Sequence, residues 1–209
     1  AIEYQPYSQK GMVFDLAAVQ TYHDALAFVQ RYGLLRHGLD AQEWREPLEE
    51  WQSEALTLRG IFYLLRALRE GLSGNMADLR RRWKPAVAEA LGLRYPPEGD
   101  AELLEDAART IALAVSEKLE GVEQGIAAMG ADFEGGALGE FAFVVRPRDL
   151  LGYVYHELAM LIVNRAPLNV CAECGRVFPV TDPRQKYCSS ACGSHARYRR
   201  WRDRHAGDR

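Results

Sequence analysis

Apolar residues recur at helical intervals along most of this chain. Starting at Asp15, a fitting N-cap, Val19, Tyr22, Leu26 and Val29 follow one another at steps of three and four, and Gly33 then supplies a stop signal. A first helix is predicted over that span, with residues 1 to 13 irregular or forming an edge strand. Pro47 stands where a first-turn proline belongs, and Leu48, Trp51, Ala55, Leu58, Phe62 and Leu65 keep one face apolar up to Gly71, which predicts a core-facing second helix. Met76 to Leu91 is also helical in pattern, but Pro85 removes a hydrogen bond and clashes with the preceding turn, so a kink or restart is expected there. The Arg80-Arg81-Arg82 run within it reads as a solvated face.

Tyr95 to Gly99 is a breaker, after which Asp100 caps a long predicted helix carrying Leu104, Ala108, Ile111, Val115, Leu119, Val122, Ile126 and Met129 until Gly130. Gly121 and Gly125 inside it each cost about 1 kcal/mol relative to Ala, which calls for close packing or marks a weak point. Gly130 to Gly139 reads as a loop that matches no phosphate-binding pattern, and Phe141 to Val145, aromatic and β-branched, as the best strand. From Arg148 a helix returns through Leu151, Val154, Leu158, Leu161 and Ile162, until Asn164 and Pro167 end it. The expected fold class is mainly α (α+β): a body of about five helices with a small two- or three-stranded sheet, and a separate C-terminal module.

That module is where the chemistry lies. All four cysteines fall within it as Cys171-x-x-Cys174 and Cys188-x-x-x-Cys192, with thirteen residues between the pairs. Two close pairs at this spacing are a zinc-ligand pattern, and four thiolates leave no open position for a water nucleophile, so the predicted metal is structural. Gly175 lets the chain turn around the first pair, Phe178 is placed to pack beneath a hairpin, and Thr181-Asp182-Pro183 supplies its turn. Cys188 and Cys192 would sit at the start of a helix running through Ala196, Tyr198 and Trp201, so that knuckle, hairpin and helix make a treble-clef-like finger. A redox Cys-x-x-Cys would need a βαβ context that is missing.

Charge sharpens the division. The formal net charge of -3 splits into nine Lys or Arg against four acids from Cys171 to Arg209, and 17 basic against 25 acidic residues before it. A basic end on an acidic body points to a polyanion partner for that end alone. Arg197, Arg199, Arg200, Arg202 and Arg204 crowd the last helix, and Arg176 and Lys186 lie in the finger before it. These seven are the candidate nucleic-acid contacts, arginine offering forked donors suited to phosphates and guanine edges. The opposite charges also raise the expectation that body and tail dock and mask the arginines.

The residues Cys171, Cys174, Gly175, Arg176, Phe178, Tyr187, Cys188, Ser189, Cys192, Gly193 and Ala196, with the arginine-rich helix that follows, resemble the CGNR-type zinc finger. That finger closes bacterial proteins described as stress-induced transcriptional regulators, whose helical body is called the ABATE domain. The strand-then-helix lead-in from Phe141 to Asn164 is also similar. The resemblance implies a sensor or dimerisation domain over residues 1-166 and a zinc finger over 167-209, with DNA as partner and RNA as the runner-up. In place of the family's Asn-Arg after Cys-Gly, this chain has Ser194-His195.

Other constellations are weaker. His156-Glu157 begins like HExxH, but Met160 occupies the second histidine position, and His23-Asp24 has no nucleophile beside it. No acid, base and nucleophile converge in the sequence, so a binding protein and not an enzyme is expected. A cavity lined by Trp44, Trp51, Trp83 or tyrosines could take a small-molecule effector, although such aromatics also read as plain core. The longest apolar run, Leu150 to Val163, is too short to cross a bilayer, and no signal peptide is read at the start. With no cysteine in the first 170 residues to suggest disulfides, a cytoplasmic homodimer presenting two fingers is expected.

Overall fold

The computed structural model describes residues 11–36, 46–72, 76–77, 80, 91, 98–129 and 140–205. Within them the protein is mainly helical, with two small two-stranded sheets and the four cysteines clustered near the C-terminus. The helices of the body are α1 (Met12–Ala17), α2 (Tyr22–Tyr32), α3 (Leu48–Leu72), α4 (Asp100–Lys118) and α5 (Leu150–Val163). Strands β1 (Val122–Met129) and β2 (Glu140–Pro147) form a hairpin between α4 and α5. The finger follows as β3 (Leu168–Val170), β4 (Val177–Pro179) and α6 (Ser190–His205).

α3 forms as its apolar spacing requires: Trp51, Ala55, Leu58, Phe62 and Leu65 are all buried. It packs against α1 and α4, and α5 closes the group by touching both of those. Met12, Val13 and Leu16 from α1, Leu103 and Ala107 from α4, and Val154 and Leu158 from α5 make the shared core. Trp51 belongs to that core too, edge-on to Phe28 with ring centroids 5.3 Å apart; Trp44 and Trp83 lie outside the described residues.

Two segments differ from their sequence pattern. The span from Asp15 to Gly33 is not one helix but two, because Thr21 and Asp24 build a capping box that starts a new helix at Tyr22. Asp15 lies inside α1, where it accepts from Tyr32 Oη at 2.6 Å and pairs with Arg31 at 3.1 Å, and caps nothing. The buried face of α2 is therefore Ala25, Phe28 and Tyr32, while Tyr22 and Leu26 face solvent.

The second correction is larger. The predicted helix to Gly130 ends at Lys118, and Val122–Met129 is a strand paired antiparallel with β2, in a register running from Val122↔Pro147 to Met129↔Glu140. Its helical face also turns, burying Leu103, Ala107, Ile111 and Val115 in place of the Leu104–Ala108 line. Gly121 accordingly sits in the turn out of α4, its carbonyl accepting from Arg148 N at 3.1 Å. β2 appears where predicted, and the hairpin it forms lies on α5. Gly152 permits that approach: a Cβ there would stand 3.4 Å from Val122 Cγ2 and 3.3 Å from Asp149 Oδ1, which caps α5 through Gly152 N.

The remaining predicted features fall into two groups. Most of Met76 to Leu91 and all of the loop read from Gly130 to Gly139 lie outside the described residues; of the Arg80-Arg82 run, Arg80 is described and pairs with Asp100. In both histidine pairs the acidic partner is engaged by backbone N–H groups. Asp24 is spent on its capping box, and the Glu157 carboxylate accepts from Gly11 N and Val13 N at the start of α1.

Candidate metal centre and arginine helix

The finger begins with a hairpin whose turn is the first cysteine pair. β3 and β4 pair as Leu168↔Pro179 to Val170↔Val177, and Cys171 N donates to Arg176 O at 2.8 Å while Gly175 N donates to Cys171 O at 3.0 Å. Gly175 holds φ +73°, a left-handed conformation that costs an L-residue about 1–2 kcal/mol, and no atom lies within 4 Å of where its Cβ would be. A Gly175→Ala chain should therefore fold and bind zinc about five- to thirty-fold more weakly, that strain being the whole effect. Competition against a chromophoric chelator measures this, and unchanged affinity would show that the turn relaxes freely.

The second pair is brought in from below. Asp182 turns the chain by accepting from Arg184 N at 2.8 Å, Asn169 Nδ2 ties the returning strand through Gln185 O, and Ser189 Oγ accepts from Cys192 N as α6 starts. Tyr187 packs its ring 3.5 Å from the Cβ position of Gly193. The result places the sulfurs of Cys171, Cys174, Cys188 and Cys192 within 4.8 Å of one another, with Cys174–Cys188 and Cys188–Cys192 both at 3.6 Å.

Those distances test the donor set. Sulfurs about 2.3 Å from a tetrahedral zinc stand about 3.8 Å apart, close to the 3.6 Å of Cys174–Cys188 and Cys188–Cys192, whereas a disulfide requires about 2.05 Å. All four thiols are free. Four soft donors gathered in this way fit zinc, and an ion held by all four would have no open position for a water. Electrostatics agrees: burial raises Cys171, but backbone N–H groups of Cys174, Cys188 and Glu173 outweigh it and hold that thiol at about 6. Burial and then the neighbouring sulfurs push Cys188 up to about 12, so a central cation is what would let all four carry charge together.

A residue that sequence spacing did not single out joins knuckle to helix. Glu173 sits between the first two cysteines with its side chain 8% exposed, and its carboxylate meets His195 Nδ1 on one oxygen. Arg199 Nη2 lies 3.0 Å from the other oxygen, an ion pair without the alignment of a hydrogen bond. His195 therefore anchors α6 to the knuckle, and Ser194 Oγ accepts from Arg197 Nη2 at 2.9 Å.

The sequence-predicted arginines divide into three groups. Arg199 is spent on Glu173, and Arg202 pairs with Asp203 at 3.6 Å. Arg197, Arg200 and Arg204 are exposed along one stripe of α6 and make no ion pair among the described residues. Arg176 lies apart from them, beside Cys174 at the knuckle, and Lys186 is exposed with its carbonyl accepting from Ala172 N. Among the described residues the knuckle faces the body, and the arginines of α6 are exposed.

Beside the arginine stripe runs a row of rings. Tyr198 is 60% and Trp201 51% exposed, their centroids are 6.0 Å apart, and Trp201 stacks on His205 at 4.7 Å. These aromatics turn outward, not into the finger. The chain matches no protein-family model, and no curated protein or solved structure aligns with it. No described helix is long and apolar enough to cross a membrane.

Proposed function

We propose that this chain is a zinc-containing transcriptional regulator of the CGNR type, in which a structural zinc held by Cys171, Cys174, Cys188 and Cys192 presents α6 to DNA. The observation that carries the proposal is the stripe of Arg197, Arg200 and Arg204: three exposed guanidinium groups, unpaired with acids among the described residues, on a helix fixed to its metal site by Glu173, His195 and Arg199. Fixed helices carrying free arginines supply both phosphate contacts and base-edge contacts in the major groove. Tyr198 and Trp201 add ring surface that stacks on bases or packs along a groove. The zinc supplies folding energy and no chemistry, so the protein acts by binding and not by catalysis.

One finger offers a contact of only about 600–1,000 Å² and binds weakly alone, so two fingers presented by a homodimer of the body make the working unit. Tyr22, Leu72, Leu113 and Val163, each more than 60% exposed, give the body apolar surface from which to build that contact. RNA is the alternative partner, favoured by the outward rings.

Gel-shift titration of the zinc-loaded protein with genomic duplex fragments and structured RNA at fixed salt tests this. Duplex should bind more tightly, and changing Arg197, Arg200 and Arg204 together to Gln should flatten the salt dependence by about two to three units of slope. Binding of neither polymer, or undiminished binding by the triple variant, would dispose of the proposal. Tighter RNA binding would select the alternative, and a monomer at high micromolar concentration that still binds DNA specifically would remove the dimer.

A further inference from the structure

The knuckle does not stand clear of the body. Leu168 and Val177 pack against the body core, and Arg69 Nη1 donates to Ala166 O at 2.7 Å. Between knuckle and body lies a cleft of about 160 Å³, walled on one side by Cys174, Gly175, Arg176 and Val177. Phe14, Ala17 and Ala18 of the α1 region and Arg59 and Tyr63 of α3 wall the other. A wider cleft of about 480 Å³ along α2 shares Ala18, Gln20, Cys174 and Arg176 with it, which gives the smaller one a way in.

The lining of the smaller cleft is cationic apart from the Cys174 thiolate of the metal site. It contains two arginines and no carboxylate. Arg59 uses Nη1 to hold Ala17 O at 3.1 Å and Val19 O at 3.0 Å, makes no ion pair among the described residues, and is lowered from its ordinary pKa by burial. Arg176 feels the negative charge of Cys174, Cys188 and Cys192 and lines the same cleft. Two guanidinium groups line this concave, partly apolar space, and forked donors are best satisfied by a planar carboxylate. Phe14, Ala17, Tyr63 and Val177 add an apolar wall for the rest of such a molecule. The volume is below the usual range for drug-sized ligands, which limits the occupant to a small one.

We propose that this cleft binds a small organic carboxylate, its charged end between Arg59 and Arg176 and its apolar body against Phe14 and Tyr63. The anion would bridge α3 of the body and the knuckle of the finger, and so fix one against the other. This does not depend on what α6 contacts.

The test titrates benzoate into the zinc-loaded full-length protein at constant ionic strength, with chloride and the neutral isostere benzamide as controls, followed by amide NMR. Benzoate should shift resonances of Phe14, Tyr63 and Arg176 saturably, and benzamide should not. Arg176→Gln and Arg59→Lys should each weaken benzoate binding tenfold or more, while Arg184→Gln, in the finger turn, should leave it unchanged. Because Arg59 also holds the end of α1, Arg176→Gln with its zinc content verified is the deciding variant. Equal binding of benzamide, shifts confined to α6, no saturable shift, or full benzoate affinity in Arg176→Gln would each overturn the proposal.

Discussion

Cys188→Ser should unfold the finger from Cys171 to His205 while the body keeps its native fold. Few finger residues are buried: Cys171, Phe178, Gly193 and Ala196 are nearly all that this module hides from water. A core of that size does not offset the chain entropy of ordering the segment, whereas structural zinc in small modules contributes about 10–16 kcal/mol of apparent binding energy at neutral pH. Cys188 is also the most connected ligand, its sulfur 3.6 Å from both Cys174 and Cys192. Replacing that thiolate with a hydroxyl removes a soft donor that zinc favours.

The expected record is loss of amide dispersion for α6 and the knuckle, with the α1, α3, α4 and α5 resonances retained, and the same spectrum from the native protein after chelation. β3 and β4 are the part of the module expected to survive longest, since Leu168 and Val177 lean on the body. Native dispersion of α6 in the metal-free protein would refute a metal-dependent finger.

What the amino-acid pattern revealed and what it hid follow from the range of the interactions involved. α3 was legible because its apolar face is continuous and its neighbours only had to cover it. Thr21-x-x-Asp24 is a local capping signal that went unread, because Val19, Tyr22, Leu26 and Val29 met helical spacing across the break and hid it. Val122, Ile126 and Met129 fit a helical period, and Val122, Ile126 and Ala128 fit a period of two equally well. The choice between them is made by pairing with β2, a contact that no local pattern expresses.

The cysteine cluster shows the same division. Its ligands were legible from spacing, because zinc demands close pairs of donors. Glu173 was not, since its partners His195 and Arg199 come within reach only after the metal site folds knuckle onto helix. That contact gives His195 a place: it anchors α6 at the position where the sequence departs from the finger it resembles.

In the body the largest expected effect belongs to Glu54, a carboxylate 4% exposed in the second turn of α3. It accepts from Arg36 Nη2 and Lys118 Nζ at 2.7 Å each and from Tyr155 Oη at 2.9 Å, so one side chain joins α3, α4, α5 and the segment after α2. Burial and the adjoining carboxylate push the Tyr155 hydroxyl well above its ordinary pKa, so it stays protonated and keeps donating. Every oxygen of the carboxylate is satisfied, so removing it strands its donors instead of relieving them. Losing one member of a buried ion pair costs about 3–5 kcal/mol, but the Lys118 and Arg36 side chains are 30% and 42% exposed and can turn toward water, and Arg36 keeps Glu50 at 2.7 Å. Glu54→Ala should therefore destabilise the zinc-loaded protein by about 3 kcal/mol, seen as a lower urea midpoint at unchanged slope. Tyr155→Phe, which removes one hydrogen bond and leaves the ion pairs, should cost about 1 kcal/mol. In a double-mutant cycle, Lys118→Met should cost much less in the Glu54→Ala background than in the native protein, because the charge it removes is then already unpaired. A loss below about 1 kcal/mol for Glu54→Ala, or strict additivity with Lys118→Met, would mean that the four segments are held by apolar packing alone.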